Sequence, residues 1–184
     1  MSKSILEALK HRRTIRNYDP DFQIPKEQLD EILYAAQIAP TSKDLQEVDL
    51  IVLRNKEKLN KIEQVILKEF PEEMKKKFEE RRQIYGVKNV ITCDAPLVIL
   101  LIRNERKEKF VDVDGGIAAM SIIMAAQHFN LESMCLGIIT RFPKVEEILG
   151  LQKDSLILGV ALGKIKGNQV IKDKVIKSKI SYMD

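Results

Sequence analysis

The chain has 184 residues, 45% of them hydrophobic and 32% charged, with a formal net charge of +4. That balance fits one soluble globular domain with a real core and excludes a disordered or fibrous chain. Two cysteines and two histidines give no disulfide framework, and they support neither a zinc site nor a histidine-based triad.

In chain order, Ser4 to Arg12 predicts a first helix, with Ser4 as its cap and Ile5, Leu6 and Leu9 on one face. Asp19-Pro20-Asp21 is a turn, and Pro25 opens a second helix carrying Leu29, Ile32, Leu33 and Ala36, which ends at Ala39-Pro40. Val48 to Leu53 reads as a strand. Lys56 to Lys68 and Glu72 to Tyr85 are charged amphipathic helices separated by Pro71. The aliphatic run Pro96 to Ile102 is typical of a strand covered on both faces. Asp114 to Phe129 is a helix with little polar face. Its small residues, Gly115, Gly116, Ala118, Ala119, Ala125 and Ala126, suit close packing in the core or against a second subunit. Leu131 to Ile139 is a third strand, Lys144 to Leu149 a short helix stopped by Gly150, and Leu156 to Leu162 a fourth strand. This interleaving predicts a mixed sheet sandwiched by helices.

Targeting signals are lacking. Met1 to Ser4 is no signal-peptide core, and the apolar stretch Ile117 to Phe129 is too short to span a bilayer, so a cytoplasmic location is expected. Cys93 and Cys135 both sit among apolar residues and read as buried structural thiols.

Three segments can carry chemistry. Arg12-Arg13-Thr14-Ile15-Arg16 places three guanidinium groups and a hydroxyl after the first helix, a good arrangement for a phosphorylated ligand. Alone, it reads better as a solvated charge cluster. From Lys164 to Asp184 six lysines face two aspartates, so positive charge gathers at both ends of the chain. Pro40-Thr41-Ser42-Lys43-Asp44-Leu45-Gln46 collects polar groups able to hold a polyhydroxyl chain or a heterocycle edge, or simply to terminate a helix. Gly137, within an apolar strand pattern, marks either tight packing or a ligand close to the backbone. No GxGxxG or P-loop sequence occurs, which leaves a dinucleotide-type fold or an NTPase unsupported.

Together these segments resemble the nitroreductase family of flavin enzymes. His11 to Tyr18 resembles that family's Arg-Arg-Ser-x-Arg-x-Phe/Tyr segment, and Ala39 to Gln46 its Ala-Pro-Ser-Ser-x-Asn-x-Gln turn. Asp94-Ala95-Pro96 resembles the family's Ala-Pro-led strand, and Asp112 to Gly116 its central helix. Leu136-Gly137-Ile138 and the strand to Gly163 follow in the same order. The departures are Asp44 for the usual Asn, Glu47-Val48 for Pro-Trp, and Lys174 for Arg.

The resemblance implies an α+β fold with a central mixed, mostly antiparallel sheet flanked by helices. It also implies an intertwined homodimer with FMN at the subunit interface and NADH or NADPH as reductant. Arg12, Arg13 and Thr14 would hold the phosphate and ribityl end, joined by Lys172 and Lys174, and Arg16 would lie near the pyrimidine edge. Pro40, Thr41, Ser42 and Asp44 would approach the flavin from the partner, while Gly137 and Ile138 would bring backbone close to the ring. The single domain would carry a helical lid over roughly residues 56–90 and a basic tail over 164–184. The implied activity passes hydride to an electron-poor acceptor such as a nitroaromatic, quinone or enone, with no catalytic side chain singled out. A flavin-binding redox sensor or storage protein without turnover is the alternative. A nucleic-acid binder is disfavoured by the mild charge and few aromatics.

Overall fold

In the first helix, α1 (Ile5–His11), the Ser4 hydroxyl accepts from the Glu7 N–H, and the Glu7 carboxylate accepts from the Ser4 N–H at 2.8 Å. This reciprocal cap satisfies two donors that the first turn leaves unpaired. The computed structural model describes residues 4–104, 109–167 and 173–183. Among these follow α2 (Lys26–Gln37), β1 (Val48–Leu53), α3 (Lys56–Glu69), α4 (Glu72–Tyr85) and β2 (Leu97–Arg103). The remaining elements are α5 (Val111–His128), β3 (Glu132–Cys135), α6 (Pro143–Leu149) and β4 (Leu156–Gly163). The order of helices and strands is the one the hydrophobic periods predict.

The four strands pair in the order β1-β2-β4-β3, and all three pairings are antiparallel. A single parallel bridge, Thr14 to Ser133, adds the segment after α1 to the β3 edge. The sheet is therefore mixed and mostly antiparallel. Alternate residues of the central strands feed two cores. Val98, Leu100 and Ala161 face Leu59, Ile62, Ile66 and Phe78 of α3 and α4. Leu97, Ile99, Leu101, Val160 and Leu162 face Ile32 of α2 and Ala118, Ile122 and Ala126 of α5. Helices thus cover both faces, and the 56–85 helices share one layer with α6, whose Val145 is buried in the same core.

The small residues of α5 divide between two environments. Gly115 lies against β4, where an added Cβ would come within 2.6 Å of Ile157 Cγ2. Gly116, Val113 and Met120 face outward.

The third strand is shorter than its apolar run suggests. Pairing ends at Cys135, and Gly137–Arg141 forms a 3-10 turn rather than the strand end expected to Ile139. Leu136 leaves the extended region, the Ile139 N–H reaches the Leu136 carbonyl, and the Thr140 hydroxyl donates to the Gly137 carbonyl. Ile139 buries its side chain equally well from a turn as from a strand, so hydrophobicity alone could not separate the two.

Candidate functional site

Once α1 ends, the chain runs along the exposed edge of β3. The Ile15 N–H donates to the Ser133 carbonyl at 3.3 Å, and the Tyr18 N–H to the Cys93 carbonyl at 3.0 Å. Ile15 and Tyr18 are driven into the core, which fixes the cationic neighbours at the rim. Arg12, Arg13 and Thr14 are half-buried and Arg16 is exposed. Arg13 folds back and donates to the carbonyls of Lys10 at 2.6 Å and Arg12 at 2.9 Å, so it also closes the C-terminal end of α1.

Beside this rim lies the turn carrying Gly137 and Ile138. Arg16 and Ile138 are walls of one cavity of about 180 Å³, which also takes in Cys93, Cys135, and Phe78, Arg81 and Tyr85 of α4. A Cβ built on exposed Gly137 meets nothing within 4 Å, so the space over the turn is open to a planar group. The structure therefore joins the 12–16 segment to residues 137–138. Cys135 is exposed, contrary to the buried thiol expected, because an edge strand leaves one flank uncovered. Cys93 is buried, which pushes its thiol up to about 12 and leaves it unreactive.

The Pro40–Gln46 turn sits elsewhere. It leads into β1, the strand at the edge opposite β3, roughly 14 Å away at ~4.8 Å per strand. Lys43, Asp44 and Gln46 adopt left-handed φ values of 53°, 54° and 50°. Such backbone is held only by its surroundings. The Thr41 hydroxyl accepts from the Gln46 N–H at 3.2 Å, and the Gln46 amide donates to Asp44 at 3.0 Å. Asn104 donates to the Gln46 carbonyl at 3.1 Å. Asp114, buried in the first turn of α5, accepts the Ser42 N–H at 3.0 and 3.3 Å through its two oxygens. An acid also suits that helix end. Replacing Asp114 by Ala should cost ~2 kcal/mol, the worth of a hydrogen bond to a charged group, and loosen this turn. Urea unfolding checks the first effect and proteolysis within residues 41–46 the second.

Of the two late lysines, Lys172 lies outside the described residues. Lys174 belongs to an exposed tail without helix or strand, residues 173–183, in which Val175, Ile176, Ile180, Tyr182 and Met183 are uncovered. Before the tail, the chain ends do meet. Tyr18 bridges Ile165, and Asn17 and Lys166 exchange hydrogen bonds at 3.0 and 3.2 Å.

Sequence reasoning passed over Asp114, Asn104, Glu47 and Arg81 as individual site residues. Asp114 could have been found as an acid opening an otherwise apolar helix. Glu47 is completely buried and neither of its carboxylate oxygens has a hydrogen-bond partner among the described residues. Nothing in the sequence around it signals that burial. Among the described residues, no helix is long and apolar enough to cross a membrane.

The family model described as the nitroreductase family matches residues 9–164. A Methanothermobacter thermautotrophicus protein named as an NADH dehydrogenase/NAD(P)H nitroreductase is 33% identical over 147 residues, 78% of this chain and 66% of that protein. A Bacillus subtilis protein named as an NAD(P)H nitroreductase is 39% identical over 61 residues, 33% of this chain and 29% of that protein. The chain thus spans less than two thirds of the curated relatives it matches. A solved nitroreductase with bound FMN from Bacteroides fragilis superposes with a TM-score of 0.82 at 22% identity, covering 100% of both chains. An FMN-dependent nitroreductase from Clostridium difficile gives 0.67 at 28% identity, covering 89% of each.

Proposed function

The chain belongs to the nitroreductase family, and on that premise we propose that it is an FMN-dependent oxidoreductase working as a cytoplasmic homodimer. The observation that carries this reading is the split of the polar segments. Arg12–Arg16 and Gly137–Ile138 share one sheet edge, and Pro40–Asp44 occupies the other. One copy holds the two groups at opposite edges of its sheet; two copies can bring them together, each lending its turn to the other's cationic rim.

The donor set fits FMN. A phosphate of about −2 charge needs several cations, and Arg12 and Arg13 supply forked donors beside the Thr14 hydroxyl. Open space over Gly137 leaves room for the ring. Arg16, at the cavity wall, would bind the pyrimidine edge and stabilise negative charge there. Lys174 would reach the phosphate from the tail. Pro40, Thr41, Ser42 and Asp44 of the second copy would close the far side. Bound FMN supplies two-electron chemistry at its N5, taking hydride from NADH or NADPH and giving it to an electron-poor acceptor.

An uncovered apolar surface supports pairing. Val113, Gly116 and Met120 form one stripe of α5, spaced by three and four residues. The adjoining α1 exposes Ile5, Leu6 and Leu9, α2 exposes Tyr34, and Ile38 is exposed just beyond the end of α2. Patches of this kind mark association surfaces. The uncovered apolar side chains of the basic tail would pack on the same partner.

The test is direct. Purified protein should be a dimer by sedimentation and yellow with oxidised flavin, and NADH or NADPH should bleach it anaerobically. A colourless monomer that FMN cannot load overturns the proposal. A yellow dimer that neither nucleotide bleaches replaces turnover with passive flavin holding.

A further inference from the structure

The cavity between Arg16 and α4 is smaller than the about 300–1,000 Å³ of ordinary cofactor sites, and its roughly 180 Å³ matches a single ring. Its walls are apolar and aromatic: Phe78, Tyr85, Met134, Leu136 and Ile138. Two guanidinium groups, Arg16 and Arg81, interrupt them, and no aspartate or glutamate lines it. We propose that this cavity seats the ring of an anionic electron acceptor, an arene carboxylate or sulfonate, with Arg81 as the residue that selects its charge. The proposal rests on the flavin reading, because Arg16 and Ile138 also border the flavin's expected place.

The position of Arg81 is set by packing. Its guanidinium carbon lies 5.5 Å from the Phe78 ring centroid, a cation–π arrangement that holds the charge at the mouth of an apolar slot. Burial raises the Cys93 thiol in the cavity wall, Arg16 and Arg81 favour its thiolate, and Asp94 and Glu63 oppose them. The nearby acids are already engaged. Asp94 accepts the N–H groups of Lys88 and Asn89 at 2.8 and 2.7 Å. Glu63 accepts from Arg82 at 3.2 Å and from the Val90 N–H. Both charged side chains that line the slot itself are therefore cations, and a planar acid gains a forked partner there. With a nitroarene acid, the nitro group takes hydride and a proton, loses one oxygen as water and becomes nitroso, while NADH or NADPH is oxidised.

The probes are 4-nitrobenzoate against 4-nitrobenzamide as acceptors, and benzoate against benzamide as non-reacting ligands in calorimetry. The wild-type protein should bind benzoate about tenfold tighter than benzamide. Arg81→Gln should abolish that preference and lower the nitrobenzoate-to-nitrobenzamide ratio of kcat/KM about tenfold, and Arg81→Lys should restore part of both. Circular dichroism checks that the exposed substitution leaves the fold intact, and flavin absorbance is recorded on the same samples. Equal binding of benzoate and benzamide, or an unchanged ratio in Arg81→Gln, overturns the inference while flavin content upholds the oxidoreductase. Protein that takes up no FMN defeats the oxidoreductase, and the calorimetry then decides the cavity's preference alone.

Discussion

Gly163→Val should cost about 3 kcal/mol or more, a large part of the ~5–15 kcal/mol that holds a domain together. Gly163 ends β4 where three segments converge. A Cβ there would lie 2.7 Å from Pro96 Cδ, 3.1 Å from Pro96 Cγ and 3.1 Å from Tyr18 Cδ1. The proline ring cannot rotate away, and Tyr18 is fully buried, so the backbone itself must shift. The shift would pull Tyr18 from its bridge to Ile165 and loosen the Arg12–Arg16 segment along β3. Gly159, whose Cβ would meet Ile139 Cδ1 at 2.7 Å, should be more forgiving, because an isoleucine tip has rotamers to spare. Urea midpoints of Gly163→Ala and Gly159→Ala, measured beside Gly163→Val, separate a rigid neighbour from a yielding one. Equal midpoints would show that Pro96 moves freely.

That contrast bears on what the amino-acid pattern can reveal. Strand β2 was legible because six consecutive aliphatic positions, Leu97 to Ile102, leave no solvent face, and β1 because five of its six residues are aliphatic. Arg12, Arg13 and Arg16 were legible as a group because they crowd five positions. The placement of Pro40–Asp44 at the opposite sheet edge was not, since strand order depends on pairings between residues 45 to 65 positions apart. The clasp of Asp114 on Ser42 spans 72 positions, and no local period registers it. Arg81 belongs to Glu72–Tyr85, a helix so rich in charge that no single guanidinium stands out until Phe78 is seen beneath it. Cys135 and the Gly137–Arg141 turn were misjudged for one shared reason. An apolar run reports that side chains are buried, not which backbone carries them or which flank of an edge strand stays open.

Arg12→Gln should release FMN, raising its dissociation constant about 10- to 150-fold while leaving the fold intact. A hydrogen bond to a charged group is worth about 1.5–3 kcal/mol, and each 1.4 kcal/mol is a tenfold change in affinity. Arg12 suits the experiment better than its neighbour. Arg13 donates to the Lys10 and Arg12 carbonyls, so Arg13→Gln should weaken flavin binding and the end of α1 together. Arg12 carries no such bond to that helix end from its side chain; its backbone N–H bonds the Ala8 carbonyl whatever the side chain is. The guanidinium also lies close enough to Cys135 to favour the thiolate there, which places its charge at the β3 edge. Fluorescence titration of apoprotein with FMN, beside urea unfolding of the same samples, reads affinity and stability independently. If Arg12→Gln holds FMN as tightly as the parent chain, the phosphate lies elsewhere. In that case the cationic rim along β3 is a solvated patch, and two copies do not share a flavin across it.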